Sequence, residues 1–489
     1  MCGVFAWLTR TDASPPAVEQ ARRAVDELAH RGPDGDGEWM AGGIYIGHRR
    51  LRVIDLSADA DQPLITADGA IVVSYNGEIY NYLELALELK REGVTLRTDS
   101  DTEVFAAAYA QWGTEAFARF DGMFAAAIFD TRSRRLILVR DPMGQKPLYY
   151  HQRPEGIVCA SELRGLLALD AFDWQLDDKA LIRFLANSCF MAEETPLRGV
   201  SKVPPGHYII ADPDNGTFEI RRYWSSIPGV GVLDIGEEGA LQEFDRLFEI
   251  AAKRTLRSDV PVGVFLSGGI DSSLTAAYAR RHAPDIRSYT LAMKERDFDE
   301  SAKAEEAARR AGITEHRAFE MDGNAAINTV GRHFNTCDEP HGDPGFVNTL
   351  ILTEKVRPEI VVGIAGDGAD ELFWGYEAFR AIAPDRIAGL LPAPILSLAA
   401  NLARTCLPAS DRYLDMGYKL ASFLNGYPSS KSVRSAAWLS AGGPAELAKL
   451  CPGIDGEFFR TGSADHLFSP FEKTQAELVS GSMEERLAF

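Results

Sequence analysis

The sequence predicts an α/β protein of two domains: an N-terminal α/β/β/α sandwich over residues 2–224 and a C-terminal doubly wound parallel α/β domain over residues 240–489. Three observations carry that expectation. The first half holds short strand-like runs with few helices, the second half alternates strand with helix, and between them residues 225–239 turn Gly/Pro/Ser-rich and then acidic, as a linker does. In order, residues 17–30 and 102–112 read as helices, and 70–75, 124–129 and 136–139 as strands. Beyond Ala240, Val262 to Phe265 forms a short apolar run with β-branched residues, which predicts a buried parallel strand. The Ser/Gly cluster after it predicts a tight loop, and the alanine-rich continuation from Leu274 a helix. Residues 300–311 read as a further helix, and 360–376 repeat the pattern of a strand leading into a glycine loop. Residues 387–400 are apolar but too short and proline-broken to span a bilayer, so a buried or partner-facing helix is expected there.

Composition narrows the function class. The 489 residues are 46% hydrophobic, ample for two large cores. A net charge of −20 without a clustered basic patch argues against nucleic acid and anionic membrane surfaces as partners. The six cysteines are scattered without CxxC spacing, and the N-terminus does not read as a signal peptide. These features predict a cytoplasmic protein with neither a structural disulfide nor zinc.

Cys2 is the most informative residue. Loss of Met1 would leave one residue carrying both a thiol nucleophile and a free α-amino group, which titrates near pH 8 and can take the thiol proton. Downstream come His30-Arg31-Gly32-Pro33-Asp34, His48-Arg49-Arg50-Leu51, Tyr75-Asn76-Gly77-Glu78-Ile79-Tyr80-Asn81, Ser100-Asp101-Thr102-Glu103 and Arg140-Asp141-Pro142-Met143-Gly144-Gln145-Lys146-Pro147-Leu148-Tyr149-Tyr150. Hydrolysis of a primary amide through a thioester needs donors fixed where an oxyanion develops. The Asn76 amide and the Gly77 N–H can converge on one point, with glycine allowing close approach of the chain to the substrate.

In type, order and separation these segments resemble the glutaminase domain of class II, N-terminal-nucleophile amidotransferases, from Cys2 to about Tyr223. The resemblance implies Cys2 as nucleophile and Asn76 and Gly77 as oxyanion hole. It assigns Arg50 to the α-carboxylate of glutamine and Glu78 and Asp101 to its ammonium, with Leu51, Val53 and Ile54 completing the pocket.

The run Phe265-Leu266-Ser267-Gly268-Gly269-Ile270-Asp271-Ser272-Ser273 offers backbone N–H groups and hydroxyls at a helix N-terminus, which favours phosphate, but lacks the lysine of a Walker loop. It resembles the pyrophosphate loop of ATP pyrophosphatases. The later Ala365-Gly366-Asp367-Gly368-Ala369-Asp370-Glu371 adds three carboxylates, which beside a triphosphate imply a divalent cation. Together the two loops resemble the synthetase half of asparagine synthetase; Phe298-Asp299-Glu300-Ser301 and Cys337-Asp338-Glu339-Pro340 also fit its pattern. That resemblance implies ATP at Phe265, Leu266, Ser267, Gly268, Gly269, Asp271, Ser272, Ser273, Leu291, Ala365 and Gly366, Mg²⁺ at Asp271 and Asp370, and intermediate-forming work at Asp367. It further implies that glutamine, ATP and a carboxylate acceptor, with aspartate first among candidates, are the partners. Ammonia from Cys2 would cross an internal passage to an acyl-AMP.

Three departures from that family are visible. Ala365-Gly366-Asp367 stands where Ser-Gly-Glu is usual, which shortens a carboxylate and removes a hydroxyl. His341-Gly342-Asp343-Pro344-Gly345-Phe346-Val347-Asn348 differs from the usual Ala-Asp-Pro-Ser-Ala-Ile-Pro-Thr, and Trp374 stands where glycine is common. Relatives continue past the equivalent of residues 482–489 into a segment with a lysine in a Lys-Val-Asp-Arg context, which Lys473 does not match. On this reading the second site is incomplete, degenerate, or completed by another chain, and a homodimer is one way to complete it.

Overall fold

The computed structural model describes residues 1–170, 172–225, 235–294, 298–343, 345–392, 394–396, 398–399, 402, 416–425, 427, 438 and 449–450. Twelve strands build the first half: β1 (Gly3–Thr9), β2 (Gly35–Ala41), β3 (Ile44–Arg50), β4 (Leu64–Ile65), β5 (Ile71–Ile79), β6 (Gly122–Asp130), β7 (Arg135–Arg140), β8 (Tyr149–Arg153), β9 (Gly156–Ala160), β10 (Val200–Lys202), β11 (His207–Ala211) and β12 (Phe218–Arg222). They form two six-stranded antiparallel sheets, ordered β10-β8-β9-β1-β3-β2 and β12-β11-β7-β6-β5-β4.

Side-chain alternation along the strands explains the layering. In β1, Val4, Ala6 and Leu8 enter the core between the sheets with Val72, Ala125 and Leu138. Phe5, from the opposite face, packs with Ala21, Ala24, Val25 and Leu28 under helix α1 (Val18–Asp26). In β5 and β6, Ile71, Val73, Tyr75, Phe124 and Ile128 face helices α2 (Tyr82–Arg91) and α3 (Asp101–Trp112) through Leu85, Leu89, Val104 and Phe105. The result is the expected α/β/β/α order.

Two elements differ from expectation. The strand predicted over 70–75 continues to Ile79, because β6 pairs with it along its whole length, through Ile79 opposite Gly122. The Asn76-Gly77 pair therefore lies inside a ladder and not in a hairpin turn. The helix predicted over 17–30 ends at Asp26; residues 28, 29 and 31 then close tighter turns onto Val25, Asp26 and Leu28, which carry Arg31 back toward Cys2.

Helices α4 (Leu163–Leu167) and α5 (Asp178–Asn187) complete the first half. The second begins with α6 (Gly236–Thr255), whose first turn lies in the stretch predicted as linker; residues 226–234 lie outside the described residues. Strands β13 (Val262–Phe265), β14 (Arg287–Met293), β15 (His316–Met321) and β16 (Val362–Ile364) form a parallel sheet in the order β15-β14-β13-β16. Helices α7 (Ile270–His282), α8 (Ser301–Ala311), α9 (Gly323–Thr336) and α10 (Gly345–Val356) make the crossovers. Strand order reverses between β13 and β16, so the loops leaving those two strands flank the switch point where such sheets bind ligands.

Helix α11 (Ala369–Phe373) follows β16, and α12 (Ile382–Ala388) ends where the predicted apolar helix was to begin. Ile387 and Leu390 are exposed there, whereas Leu396 joins a small core with Leu424 and Tyr427. No helix among the described residues is long and apolar enough to cross a membrane. Residues 473 and 482–489 lie outside the described residues.

Polar contacts join the halves. Tyr149 donates to Glu339 at 2.6 Å and Lys202 pairs with the same carboxylate. The Arg164 N–H donates to Asp338, Gly342 N–H to the Ser188 carbonyl at 2.7 Å, and Arg257 makes a two-pronged pair with Glu84. The acidic pair of Cys337-Asp338-Glu339-Pro340 thus faces the first domain.

Candidate active sites

Cys2 immediately precedes β1 and is fixed on three sides. Its N–H donates to Asn76 Oδ1 at 2.9 Å, its carbonyl accepts from Arg31 Nε at 2.8 Å, and its Sγ accepts from the Leu51 N–H at 3.4 Å. Arg31 is buried and paired with Glu162. Burial pushes the thiol above its ordinary value, against which the Leu51 N–H works. Burial also pulls the Met1 α-amino group down to about 5, and Arg31 and Lys146 add to the effect although the Cys2 thiolate opposes it. At that value the Met1 α-amino group is neutral at pH 7.

The even-numbered positions of β5, including Asn76 and Glu78, face between the sheets, toward Cys2. With Asn76 Oδ1 bonded to Cys2, its Nδ2 is left buried without a partner. The N–H groups of Tyr75 and Ile79 point to the β4 side, donating to Gln62 Oε1 at 2.7 Å and Asp101 Oδ2 at 3.2 Å. Gly77 lies between them. Its partner Phe124 bonds through both N–H and C=O to Asp141, so Gly77 occupies a non-hydrogen-bonded pair and its own N–H points away from β6. The unpartnered Asn76 Nδ2 and the Gly77 N–H, turned away from β6, thus belong to residues that line one cavity with Cys2. Glycine is also required by β6: a Cβ would lie 2.3 Å from the Met123 carbonyl oxygen and 2.6 Å from Phe124 Cα.

Glu78 and Asp101 are buried carboxylates of like charge. Burial and then the Asp101 charge push Glu78 up to about 8, and burial pushes Asp101 up to about 6 against hydrogen bonds from the Ile79 N–H and the Tyr75 hydroxyl. Glu78 Oε1 has no hydrogen-bond partner. A buried unpaired acid is costly unless a cation arrives, and an ammonium group supplies one. Arg50, also buried, pairs with Asp61 and donates to the Ser57 carbonyl at 2.8 Å and to the Asp55 carbonyl, so its guanidinium is held in place from one side.

A cavity of about 230 Å³ brings these groups together: Cys2, Arg50, Leu51, Val53, Ile54, Asn76, Gly77, Glu78 and Asp101 all line it. Every position expected to hold glutamine is present. Sequence reading missed Gln62, Thr102, Met123 and Lys146, which also line it. Burial lowers the Lys146 ammonium below its ordinary value, and its presence in the quoted Gly144-Gln145-Lys146-Pro147 run was the available signal. Val361, Val362 and Gly363 of the second domain close the far wall. The cavity thus reaches β16, the strand that leads into the acidic loop.

At the switch point, Ser267 and Ser272 hydroxyls lie 3.0 Å apart and the Gly269 N–H donates to Ser267 Oγ at 3.3 Å, shaping the loop ahead of α7. Gly268 takes a left-handed φ of +79°, and a Cβ there would strike Lys303 and Ala304 of α8 at 2.6–2.7 Å. Leu291 lies on β14 beyond Tyr289, the partner of Phe265, at the carboxyl edge of the sheet. A Cβ on Gly366 would fall 2.8 Å from the Ser272 nitrogen and 3.2 Å from Asp271 Cβ, so the two loops touch. Burial, then the charges of Asp271 and Glu371, raise Asp370 above the usual carboxylate range. Two unneutralised carboxylates next to a loop built for phosphate are a donor set that suits Mg²⁺ shared with phosphate oxygens. Among the described residues no cluster of three metal-ligating side chains occurs. Asp367 is exposed in the turn after β16. Trp374 adopts φ +60°, the left-handed region that explains the glycine common at this position, and Asp343 accepts from the Gly345 N–H at 2.8 Å, capping α10.

The chain thus joins an antiparallel sandwich with Cys2 just before its opening strand to a parallel sheet with two glycine-rich turns at its switch point. Residues 1–224 match the glutamine amidotransferase domain family and residues 243–444 the asparagine synthase family. The chain belongs to the glutamine-hydrolysing asparagine synthetase family, whose members are AMP-forming ligases. It is 33% identical over 431 residues to asparagine synthetase [glutamine-hydrolyzing] 1 of Bacillus subtilis, covering 85% of this chain and 67% of that protein. A putative asparagine synthetase of Mycobacterium tuberculosis is 35% identical over 416 residues, 81% of this chain; the chain spans 63% of that relative's length. Amidase chry2 of Gibberella zeae is 33% identical over 416 residues, covering 78% of this chain and 60% of that one. Among solved structures, a glutamine phosphoribosylpyrophosphate amidotransferase of Bacillus subtilis aligns with a TM-score of 0.35 at 16% identity, over 65% of this chain and 81% of that chain, too partial a likeness to bear on the sites.

Proposed function

We propose that the chain hydrolyses glutamine at Cys2 and uses the ammonia to amidate a carboxylate activated by ATP, with aspartate, giving asparagine, as the first candidate. The observation that carries this reading is the buried, unpartnered Asn76 Nδ2, on the residue whose Oδ1 holds the Cys2 N–H, in one cavity with Arg50 and the buried carboxylates of Glu78 and Asp101. Once Met1 is removed, the Cys2 amine takes the thiol proton and Sγ attacks the amide carbon. The oxyanion is held by Asn76 and Gly77 while the amine returns the proton to the departing nitrogen, releasing ammonia. Water then attacks the thioester carbon, giving glutamate and the free thiol. Arg50 orients the α-carboxylate, and Glu78 and Asp101 hold the ammonium.

In the second domain, an acceptor carboxylate oxygen attacks the α-phosphorus of ATP and pyrophosphate leaves; ammonia attacks the acyl carbon of the resulting acyl-AMP and AMP leaves. The Ser267–Gly269 turn and the first turn of α7 cradle phosphate, Asp271 and Asp370 would hold Mg²⁺, and Asp367 faces the intermediate. When bound, the cation neutralises triphosphate charge. The shared wall at Val361–Gly363 supports a sheltered path, since ammonia released to water is mostly protonated. A second acceptor, a different small-molecule or peptide carboxylate, draws support from the relatives named amidases and from the departures at Ala365, Asp367 and Trp374.

The test is AMP and pyrophosphate release with ATP and glutamine across a panel of carboxylic acids. Aspartate-dependent AMP with asparagine formed supports the first acceptor; AMP with another acid alone selects the second. Glutamate formation with no AMP for any acceptor would reject synthesis by this chain and leave a glutaminase.

A further inference from the structure

We propose that Asp55 and Asp259 form a clasp through which the second domain holds the glutamine pocket in its binding shape. The inference rests on the glutaminase reading above and adds a positioning role that none of the site motifs contains. Asp55 lies in the loop that leaves Arg50 and adopts φ +53°, a region that a non-glycine residue keeps only when its surroundings over-determine it. Here they do. Its N–H donates to Asp259 Oδ2 at 2.7 Å, its carbonyl accepts from Arg50, its Oδ1 accepts from the Ser57 N–H at 3.0 Å and hydroxyl at 2.6 Å, and its Oδ2 accepts from the Asp99 N–H at 3.1 Å. One residue therefore ties the arm carrying Arg50 to the turn carrying Asp101, the two ends of the pocket.

Asp259 closes the ring. Its own N–H donates to the Val53 carbonyl at 3.0 Å, so residues 53–55 and Asp259 exchange two hydrogen bonds across the domain boundary. Val53 lines the cavity, and Asp259 lies shortly before β13, the strand that leads into the Ser267–Gly269 turn ahead of α7. Two residues earlier, Arg257 donates to the Tyr80 carbonyl and grips Glu84 at 2.7 and 2.9 Å, holding the end of β5 beyond Asn76, Gly77 and Glu78. The segment that feeds the nucleotide loop thus grasps both strand ends that build the glutamine site.

Loss of the Asp259 carboxylate frees the Asp55 N–H and lets Arg50 and Asp101 drift, which weakens substrate binding more than chemistry. Because Asp259 is exposed, the effect is modest: Asp259→Ala raises KM for glutamine about three- to tenfold, with kcat changed less than about twofold. Asp259→Asn, which keeps an acceptor oxygen, restores KM to near the parent value. Steady-state glutaminase kinetics on the full chain, with Cys2→Ala as the blank, provide the test. An unchanged KM in Asp259→Ala, or equal impairment in Asp259→Asn, would overturn the clasp. Absence of any glutamine hydrolysis in the parent chain would overturn the glutaminase reading itself, and the clasp with it.

Discussion

Glutamine will bind this chain more tightly as pH rises from 6.5 to 8, because Glu78 must lose a proton to receive the substrate ammonium. Burial and the neighbouring Asp101 hold Glu78 at about 8. About 3% of it is then ionised at pH 6.5 and about half at pH 8, so affinity rises about 15-fold over that interval. Glutamine's ammonium stays charged throughout, and Asp101, at about 6, is already mostly ionised. The sign follows from the docked ammonium, which draws Glu78 back toward its ordinary range, so binding releases a proton. Isothermal titration of the Cys2→Ala form avoids turnover, and buffers of different ionisation enthalpy count the released proton, close to one at pH 7. Glu78→Gln binds weakly and with no such slope. A flat or falling affinity across the interval, or proton uptake on binding, would refute the assignment of Glu78 to the ammonium.

Other expectations follow from the same geometry. Cys2→Ala abolishes glutamine-dependent AMP release while leaving any ammonia-dependent release intact; glutamine-driven turnover in that variant would remove Cys2 as nucleophile. Asn76→Asp keeps the acceptor for the Cys2 N–H but loses the Nδ2 donor, and glutaminase kcat falls at least about a hundredfold. Without glutamine, stability declines as pH climbs from about 4.5 toward 8, since the folded state holds the Glu78 proton, and up to about pH 6 the Asp101 proton, more tightly than the unfolded chain; Glu78→Gln flattens the part of the slope above about pH 6 in denaturation melts. Asp370→Asn relieves repulsion with Asp271 and Glu371 and raises the Mg²⁺ concentration for half-maximal AMP release by on the order of tenfold.

Much of this site was legible because its chemistry sits in contiguous runs. Asn76, Gly77 and Glu78 share one strand, and Ser267 to Ser273 run through one turn into the start of α7, so residue type and order announced them. The contacts that set the nucleophile's environment were not legible. Arg31 reaches the Cys2 carbonyl only because α1 stops at Asp26 and tighter turns follow, a tertiary outcome that helical periodicity through residue 30 did not reveal. Asp55 and Asp259 lie 204 positions apart in ordinary polar loops, and nothing local marks either one. The crowding of Gly77 by β6 was hidden for a similar reason: that neighbour is known only once strand pairing is known. The strand runs past Tyr75 through Asn76-Gly77, a pair with a strong local turn preference that ladder pairing with β6 overrides.

Peptide mass mapping of the active protein after labelling with an electrophilic glutamine analogue bears on the thiol and amine sharing one residue. The label should reside on a peptide that begins at Cys2, with Met1 gone and glutaminase activity lost in step with labelling. Active protein that retains Met1, or label on another residue while activity disappears, would contradict catalysis by an N-terminal cysteine.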